Sequence, residues 1–331
     1  MARLFPIDAP LALAPMQEVT DCAFVRTLAR LGCLPDFLVL PYFRSRRDER
    51  PLPAPFLRTM AESAAGIPVR AQLLGSDPAA LARDARVLLE YPVAGVDLNA
   101  GCPSPRVCRK GAGAALLLDL RRFEAALSAL RAAIPEGMFS VKSRIGWREK
   151  DEWEDILPVL KRVGPDLVTV HARTREGMYR SSVNREAVAR AVGELACPVY
   201  ANGDIADRRT ACAWMQAASP AGLMIGRGAV RNPWIFRVLR GGKPPAYRDL
   251  LEYALVLMEE TARRQGAGES GHCARMKKYL AYLADDLPAD FGFRMRRAAS
   301  RRELIQTLED HLSSDAPFPE LPPPASLAFF G

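Results

Sequence analysis

The sequence predicts a (β/α)8 barrel followed by a small C-terminal helical domain. Short apolar runs alternate with segments of helical spacing from the N-terminus to about residue 240, which is typical of βα units in a parallel sheet. The runs number eight, and a TIM barrel usually takes about 250 residues. A doubly wound open sheet has the same local pattern, but the count of eight and the absence of a GxGxxG turn after the first run favour the barrel.

Each apolar run is predicted to form one strand, and the segment after it a helix. The strands are expected at residues 11–14, 37–40, 69–74, 95–99, 139–144, 167–171, 199–202 and 222–225. Helical spacing is clearest in residues 78–90 and 122–133, where apolar residues recur three and four positions apart.

Residues 241–245, Gly-Gly-Lys-Pro-Pro, interrupt both patterns and are predicted to be a linker. Beyond them, apolar residues at helical spacing predict helices over 247–265, 272–285, 290–299 and 302–312. Residues 316–324 are proline-rich and are expected to form an extended surface segment. We therefore divide the chain into a barrel domain over 1–243, a helical domain over 246–315 and a proline-rich tail over 316–331.

The composition is that of an ordinary globular protein, with 49% hydrophobic and 25% charged residues. No run approaches the roughly 18 consecutive apolar residues of a membrane-spanning helix, and the prolines of the N-terminal segment argue against a signal peptide. The seven cysteines include no CxxC pair, which argues against a disulfide framework and a zinc site. We therefore expect a cytoplasmic monomer that binds no metal and no membrane.

The net charge is +8, from 46 basic and 38 acidic residues, and the excess lies before the helical domain. Residues 1–245 carry 35 basic and 25 acidic residues, whereas residues 246–331 carry 11 and 13. Only seven of the basic residues are Lys, and Arg is the better partner for bidentate phosphate contacts. A GC-rich genome produces the same bias, so the composition suggests a polyanionic partner without proving one.

In a barrel of this kind the active site lies at the C-terminal ends of the strands. Polar or otherwise unusual residues occur at nearly every predicted strand end, and their common position predicts one site. They are Pro15 and Met16 after the first strand, Gln72 in the third, Asn99 and Cys102 after the fourth, Lys142 and Arg144 in the fifth, His171 and Arg173 at the sixth, Asn202, Gly203 and Asp204 after the seventh, and Gly226, Arg227 and Gly228 after the eighth.

The glycines after the seventh and eighth strands predict a phosphate site. They let backbone N–H groups approach an anion closely, at the place where these barrels commonly hold a phosphate. Arg227 would add a charge-assisted contact. Tight turns alone would also explain such glycines, but two loops of this kind on adjacent strands favour the phosphate.

Lys142 and Arg144 alternate with apolar residues and are expected to point into the barrel. A buried ammonium needs an anionic partner, either a carboxylate such as Asp97 or a bound anionic cofactor. His171 and Gln72 have the donors and acceptors that a heterocycle requires. Structural hydrogen bonds within the barrel are the alternative for both.

Cys102 lies in a Gly-Cys-Pro turn directly after Asn99. A thiol with a pKa of about 8.5 is mostly protonated at neutral pH, so Cys102 is a candidate proton donor or, when deprotonated, a nucleophile. The basic, glycine-rich residues 106–113 that follow are predicted to be a mobile loop that closes over a phosphate-bearing substrate. Cys108 is expected to be incidental.

Seven motifs in this order resemble the tRNA-dihydrouridine synthases: APMQEVTD, RAQLLG, DLNAGCPSPRVCRKGAGAALL, VKSRIGW, VHARTREGMYR, ANGDI and IGRGAVRNP. The N-x-x-C-P-S element is especially specific. The resemblance implies a barrel that holds FMN, is reduced by NADPH and adds hydrogen across the 5,6 double bond of a uracil in tRNA. The segment GHCARMKKYLAYL resembles the bacterial C type, which acts on uridine 16 of the D-loop.

The resemblance also implies roles for single residues. Cys102 would protonate C5 of the uracil and Asn99 would help to hold the base, with Arg144 and Tyr179 on the substrate side. The implied FMN contacts are Pro15, Met16, Gln72, Lys142, His171, Asn202, Gly203, Asp204, Gly226 and Arg227. Residues 40–44, Leu-Pro-Tyr-Phe-Arg, lack the acidic residue of the family's T-E-F/Y element.

Basic clusters are candidates for tRNA contacts. They are Arg44 with Arg46 and Arg47, Arg106 with Arg109 and Lys110, Arg275 with Lys277 and Lys278, and Arg294, Arg296 and Arg297 with Arg301 and Arg302. The last two clusters are expected to share a face of the helical domain that grips the tRNA, although solvated helix faces often look the same.

Two other functions fit parts of the pattern. One is an FMN barrel that acts on a free pyrimidine, like dihydroorotate dehydrogenase, which would not need the basic helical domain. The other is a tRNA-binding protein without catalytic turnover.

Overall fold

The computed structural model describes residues 5–48, 62, 66–263 and 268–322. Within these residues, eight strands close into a parallel barrel, because the first strand pairs with the last and the ladder is continuous between them. The strands are β1 (Leu11–Leu13), β2 (Phe37–Val39), β3 (Phe43–Arg44), β4 (Val69–Leu74), β5 (Gly95–Ala100), β6 (Phe139–Arg144), β7 (Leu167–His171), β8 (Val199–Asn202) and β9 (Gly222–Ile225), of which β3 is additional to the eight. The predicted barrel is confirmed.

The short strand β3 continues the line of β2. Strand β2 pairs with Val69 and Arg70 of β4, and β3 pairs with Leu73 and Leu74 of the same strand. Pro41 lies between the two and has no N–H to donate to the ladder. The second predicted strand, at residues 37–40, corresponds to β2, whereas the short strand β3 was not predicted.

Helices alternate with the strands and cover the outside of the barrel. Many begin at an aspartate, such as Asp77, whose side chain accepts from the N–H of Ala80 and is followed by Pro78. The helices of the barrel are α1 (Cys22–Arg30), α2 (Pro78–Leu89), α3 (Pro105–Cys108), α4 (Leu120–Ala133), α5 (Trp153–Val163), α6 (Arg185–Glu194), α7 (Arg208–Ala218), α8 (Arg227–Arg231) and α9 (Ile235–Leu239). Those of the helical domain are α10 (Tyr247–Ala262), α11 (Glu269–Leu280), α12 (Ala289–Arg297) and α13 (Arg301–Leu312).

The interior of the barrel is apolar at the bottom and polar at the top. Side chains alternate along each strand, so every second residue points inward. Near the N-terminal ends of the strands, Phe37, Leu167 and Tyr200 are buried together, with the rings of Phe37 and Tyr200 5.6 Å apart. The guanidinium of Arg70 lies 4.3 Å from the centre of the Phe37 ring. This floor closes the barrel and leaves the polar strand ends at its mouth.

The helical domain is tied to the barrel by a buried ion pair. Arg231 of α8 donates to both carboxylate oxygens of Asp286, each at 2.7 Å, and the two side chains are 0% and 1% exposed. The same guanidinium donates to the carbonyls of Pro319 and Glu320. This pair fixes the position of the helical domain beside the barrel mouth.

The described part of the predicted proline-rich tail is mostly exposed or half-buried but is anchored at Phe318. Phe318 is buried, packs against Tyr247 at 5.4 Å between ring centres and donates its N–H to the carbonyl of Pro245. The expectation of a surface segment is wrong at this position because a large aromatic side chain has a buried site available. Residues 323–331 of the predicted tail lie outside the described residues. In the described chain, no helix is long and apolar enough to cross a membrane.

Candidate active site

Two adjoining cavities open at the C-terminal ends of the strands. The smaller cavity lies at the loops after β8 and β9, and the larger one lies at the loop after β5. The larger cavity has a volume of about 720 Å³, within the range of about 300–1,000 Å³ typical of ligand sites. The residues that line both are Pro15, Met16, Lys142, His171, Tyr179 and Arg227. Most of the predicted strand-end residues therefore line one site, whereas Gln72 and Arg173 line neither cavity.

Gly203, Gly226 and Gly228 line the smaller cavity. Gly203 has a φ of 129°, a conformation that other residues rarely adopt, and a Cβ there would lie 2.9 Å from Val183. A Cβ at Gly228 would collide with the carbonyl oxygen of Ile205. Gly226 lies against Met16, which lines the same cavity. The predicted glycine loops thus have a conformation and a packing that require glycine.

Two arginines and one carboxylate stand at this cavity. Arg173 donates to both oxygens of Asp204, and Arg227 donates to Asp204 Oδ1 at 2.8 Å. Because the Asp204 carboxylate is engaged by two guanidinium groups, its function here is to orient them. Burial lowers the pKa of Arg227, although the group remains cationic at neutral pH. Arg173, which the sequence placed at a strand end, lines neither cavity and contacts the site through Asp204.

Lys142 does not form the alternative salt bridge with Asp97. Its Nζ donates to the Oδ1 of Asn202 at 2.9 Å, while Asp97 accepts from Gln72 and Ser140. Burial, and then the charge of Arg144, lower the pKa of Lys142 to about 8. A buried ammonium bonded to a neutral amide is well suited to a bound anion.

His171 is neutral at physiological pH. Burial, followed by the positive charges of Arg144 and Lys142, holds the pKa of its imidazole well below the usual range. A neutral imidazole has one donor and one acceptor nitrogen. The cationic charge that acts on His171 also marks this end of the barrel as electropositive.

Cys102 lines the larger cavity in a turn held by Asn99. The Asn99 Oδ1 accepts from the backbone N–H of Cys102 at 2.8 Å and of Gly101 at 3.1 Å. Burial raises the pKa of the Cys102 thiol, so it is protonated at neutral pH. Gly113, with a φ of 63°, packs so closely that a Cβ would lie 2.8 Å from the Cys102 carbonyl.

The segment that follows Cys102 packs against the Cys102 turn. Residues 105–108 form helix α3, and the Cys108 thiol donates to the Cys102 carbonyl at 3.5 Å. Arg106, Arg109 and Lys110 are exposed. The Cys108 thiol therefore contacts the backbone of Cys102, the candidate proton donor. The sequence alone did not predict this contact.

Gln72 lies below the cavities. It is fully buried, donates to Asp97 at 2.8 Å and accepts from Asn99 Nδ2 at 2.8 Å. Asn99 itself lines the larger cavity, whereas Gln72 lines neither. The structure thus realises the alternative of structural hydrogen bonds for Gln72.

Arg144 and Tyr179 line the larger cavity, and Tyr179 lines the smaller one as well. Arg144 donates from Nε to the carbonyl of Gly101 at 2.9 Å and from Nη1 to that of Thr174 at 2.8 Å. Burial lowers its pKa to about 10, so it remains charged at neutral pH. The ring of Tyr179 lies 5.6 Å from the guanidinium of Arg144 and 4.6 Å from that of Arg227.

The helical domain supplies one side of the larger cavity, through Lys278, Ala281 and Tyr282. Lys278 was predicted only as part of a basic cluster for tRNA contacts, and Ala281 and Tyr282 were not predicted as site residues. The signal was available, because positions 278, 281 and 282 are three and four residues apart in a segment already noted for its resemblance. Tyr42, in the segment that lacks the family's acidic residue, also lines this cavity.

The two basic clusters of the helical domain meet. Lys277 Nζ donates to the backbone carbonyl of Arg296 at 2.9 Å. The guanidinium of Arg297 lies 5.1 Å from the ring centre of Phe293, which is 56% exposed. Arg275 instead lies beside Asp21, with 3.7 Å between guanidinium and carboxylate, and Arg44 is half-buried in β3.

The chain matches the family model described as dihydrouridine synthase over residues 12–316. It is 35% identical to the tRNA-dihydrouridine(16) synthase of Haemophilus ducreyi, over 83% of this chain and 86% of that protein. The Salmonella typhimurium protein of the same name is 34% identical, over 88% and 96%, and that of Escherichia coli K12 is 33% identical, over 82% and 88%.

Two solved structures have a similar fold but little sequence identity with this chain, so they support the barrel fold and nothing more. The old yellow enzyme of Trypanosoma cruzi has a TM-score of 0.54 at 7% identity, over 71% of this chain and 89% of that one. The old yellow enzyme homologue of Zymomonas mobilis has a TM-score of 0.51 at 11% identity, over 69% and 87%. Taken with the family match over most of its length, these findings show that the chain belongs to the dihydrouridine synthase family of flavin-dependent oxidoreductases.

Proposed function

We propose that this protein reduces the 5,6 double bond of uridine 16 in the D-loop of tRNA, with FMN as its flavin and NADPH as the reductant. The relatives that are named for position 16 support the choice of uridine. The observation that carries the mechanism is the protonated Cys102 thiol in a cavity that adjoins an electropositive, glycine-lined one.

The residues present fit FMN. A phosphate suits the glycine loops and the guanidinium of Arg227, and a flavin ring, with donors and acceptors along one edge, suits Lys142 and neutral His171. The proposed contacts are those of Pro15, Met16, Lys142, His171, Asn202, Gly203, Asp204, Gly226 and Arg227, with Gln72 acting from below through Asn99. Asp204 would contribute its backbone, since its carboxylate is engaged by Arg173 and Arg227. When bound, reduced FMN supplies a hydride for C6 of the uracil.

Cys102 supplies the proton. The S–H bond breaks as the new C–H bond forms at C5 of the uracil, and the thiolate left behind recovers a proton from solvent. The charges of Arg144 and Lys142 favour the thiolate that forms, although burial keeps the resting thiol protonated. Asn99 holds the turn through its bond to the Cys102 N–H and presents its side chain to the same cavity.

The base must leave its stack in the tRNA to reach the barrel, at a cost of a few kcal/mol. Tyr179 and Tyr282 line the larger cavity and offer aromatic contacts for a flipped base. We propose that the face made by Lys277, Arg296 and Arg297, with exposed Phe293, grips the tRNA and offsets this cost. Arg44, Arg144 and Arg275 are proposed as further contacts, and the protein is proposed to act as a monomer in the cytoplasm.

The test uses tRNA that lacks dihydrouridine. Purified protein with NADPH should form dihydrouridine at position 16 and should show the visible absorption of a bound flavin. A tRNA in which uridine 16 is replaced by cytidine is the matched control and should remain unmodified. Reduction of free uracil or orotate without activity on tRNA would overturn the proposal in favour of a free-pyrimidine enzyme. Binding of tRNA without turnover would overturn it in favour of a binding protein.

A further inference from the structure

A continuous chain of hydrogen bonds runs inside the barrel from Asp97 to the Cys102 turn. Asp97 is 1% exposed, and its Oδ2 accepts from Gln72 Nε2 at 2.8 Å. Gln72 Oε1 accepts from Asn99 Nδ2 at 2.8 Å, and Asn99 Oδ1 accepts from the N–H of Cys102 at 2.8 Å. Two side-chain amides thus connect a buried carboxylate to the backbone of the proposed proton donor.

The two ends of this chain are chemically one-sided. An ionised carboxylate can only accept hydrogen bonds, and a backbone N–H can only donate them. Burial raises the pKa of the Asp97 carboxyl, whereas the hydrogen bonds from Gln72 and Ser140 and the charges of Arg70 and Lys142 favour its ionised form. The amides between them can be turned either way, since each has a carbonyl oxygen at one corner and an NH₂ group at the other. All the bonds are made only when both NH₂ groups point toward Asp97 and both carbonyls point toward Cys102.

Turning either amide would break the chain at both of its bonds. A turned Gln72 would place its carbonyl against the Asp97 carboxylate and its NH₂ against that of Asn99. If Asn99 turned as well, its NH₂ would face the N–H groups of Gly101 and Cys102, which accept nothing. Buried polar groups left without partners are unfavourable, so the two amides keep or lose their direction together.

We propose that Asp97 is a positioning residue: it imposes the direction of the Gln72 and Asn99 amides and so holds Cys102 where its thiol reaches the substrate. The inference rests on the proposed function of Cys102 as proton donor. Asp97 touches neither cavity and acts only through the chain. The structural alternative is that Asp97 merely balances the buried charges of Arg70 and Lys142.

The test is Asp97→Asn, which keeps the shape of the side chain. The amide introduced at position 97 could present either its oxygen or its NH₂ to Gln72, because the Ser140 hydroxyl can accept as well as donate, so the direction is no longer imposed. Displacement of a catalytic group by about 1 Å can cost on the order of 100-fold in rate. We expect re-oxidation of the reduced flavin by tRNA to slow by about tenfold. Flavin content and the rate of reduction by NADPH should stay within about twofold of wild type.

Ser140→Ala is the matched control. It removes the other hydrogen bond to the same carboxylate, made to Oδ1 at 2.7 Å, but leaves the bond to Gln72. Re-oxidation by tRNA should therefore stay within about twofold of wild type. A loss equal to that of Asp97→Asn would overturn the proposal, because the effect would then follow general packing around Asp97.

A double-mutant cycle with Cys102→Ala shows whether Asp97 acts through Cys102. Asp97→Asn should slow the residual reaction of Cys102→Ala by less than about twofold, whereas additive losses would overturn the proposal. Substantial dihydrouridine formation by Cys102→Ala alone would instead refute the proposed function. If Asp97→Asn does not fold, Asp97→Ser is tested in the same cycle with the same expected and contrary results.

Discussion

Replacing Arg231 by Met should strongly destabilise the protein. The guanidinium is fully buried and is the hydrogen-bonded partner of Asp286, which is 1% exposed. Removing one member of a buried ion pair costs about 3–5 kcal/mol, since the other charge is left in the interior. The carbonyls of Pro319 and Glu320 also lose a donor. We therefore expect the free energy of unfolding to fall by about 4 kcal/mol.

The assay is urea unfolding followed by intrinsic fluorescence, with the slope of the transition checked for constancy. Arg248→Met is the matched control, because the pair of Arg248 and Asp315 is largely exposed and its loss should change stability little. The double variant Arg231→Met with Asp286→Leu should recover at least half of the loss, since it leaves no unpaired charge. A loss below about 1 kcal/mol for Arg231→Met, or no recovery in the double variant, would refute the reasoning.

The pH dependence has a definite sign. Burial raises the pKa of the Asp286 carboxyl, and the charge of Arg231 opposes that rise. Without Arg231, the folded protein holds the proton of Asp286 more tightly than the unfolded chain does. The destabilisation should therefore grow as the pH rises above about 4, the ordinary pKa of an aspartate.

Three further predictions concern the cavities and the helical face. Burial lowers the pKa of Lys142 to about 8, so the side chain loses its charge as the pH rises through that value. FMN retention, measured by ultrafiltration, should therefore fall between about pH 7 and 9. Unchanged retention would contradict a role of the Lys142 ammonium in holding FMN. Gly228→Ala should lose most of its flavin absorbance, since the added Cβ collides with a neighbouring carbonyl, and full flavin content would contradict this. The double variant Arg296→Ala with Arg297→Ala should weaken tRNA binding and flatten its salt dependence, because two charged contacts are lost. Phe293→Ala should weaken binding with the salt slope unchanged, because the exposed ring contributes stacking and no charge. An equal salt slope in the two variants would contradict these separate roles.

The barrel could be predicted from the sequence because each strand is marked by a pattern of neighbouring residues. Inward and outward residues alternate within each strand, and polar groups gather where the apolar runs end, as at Lys142 and His171. The short strand β3 was not predicted, and Pro41, which has no N–H to donate, separates it from β2.

What escaped prediction depends on neighbours that are distant in the chain. The position of Gln72 in its strand predicts a cofactor ligand, but the register of β4 and β5 places it beside Asp97 and below Asn99. Arg173 was predicted at a strand end, but its contact with Asp204, which lies 31 residues away in sequence, was not. Tyr282 reaches the larger cavity only because the helical domain packs beside the mouth. These contacts depend on tertiary packing, which periodicity does not encode.

Cys102 is proposed to give the proton to a uracil of tRNA at a flavin site. This role is tested by comparing wild-type protein with Cys102→Ala for dihydrouridine at position 16, at equal flavin content and with NADPH in excess. We expect wild type to form dihydrouridine, whereas Cys102→Ala keeps its flavin and its reduction by NADPH but loses at least about 100-fold in product formation. Product formation by Cys102→Ala at a rate close to that of wild type would show that Cys102 is not the proton donor.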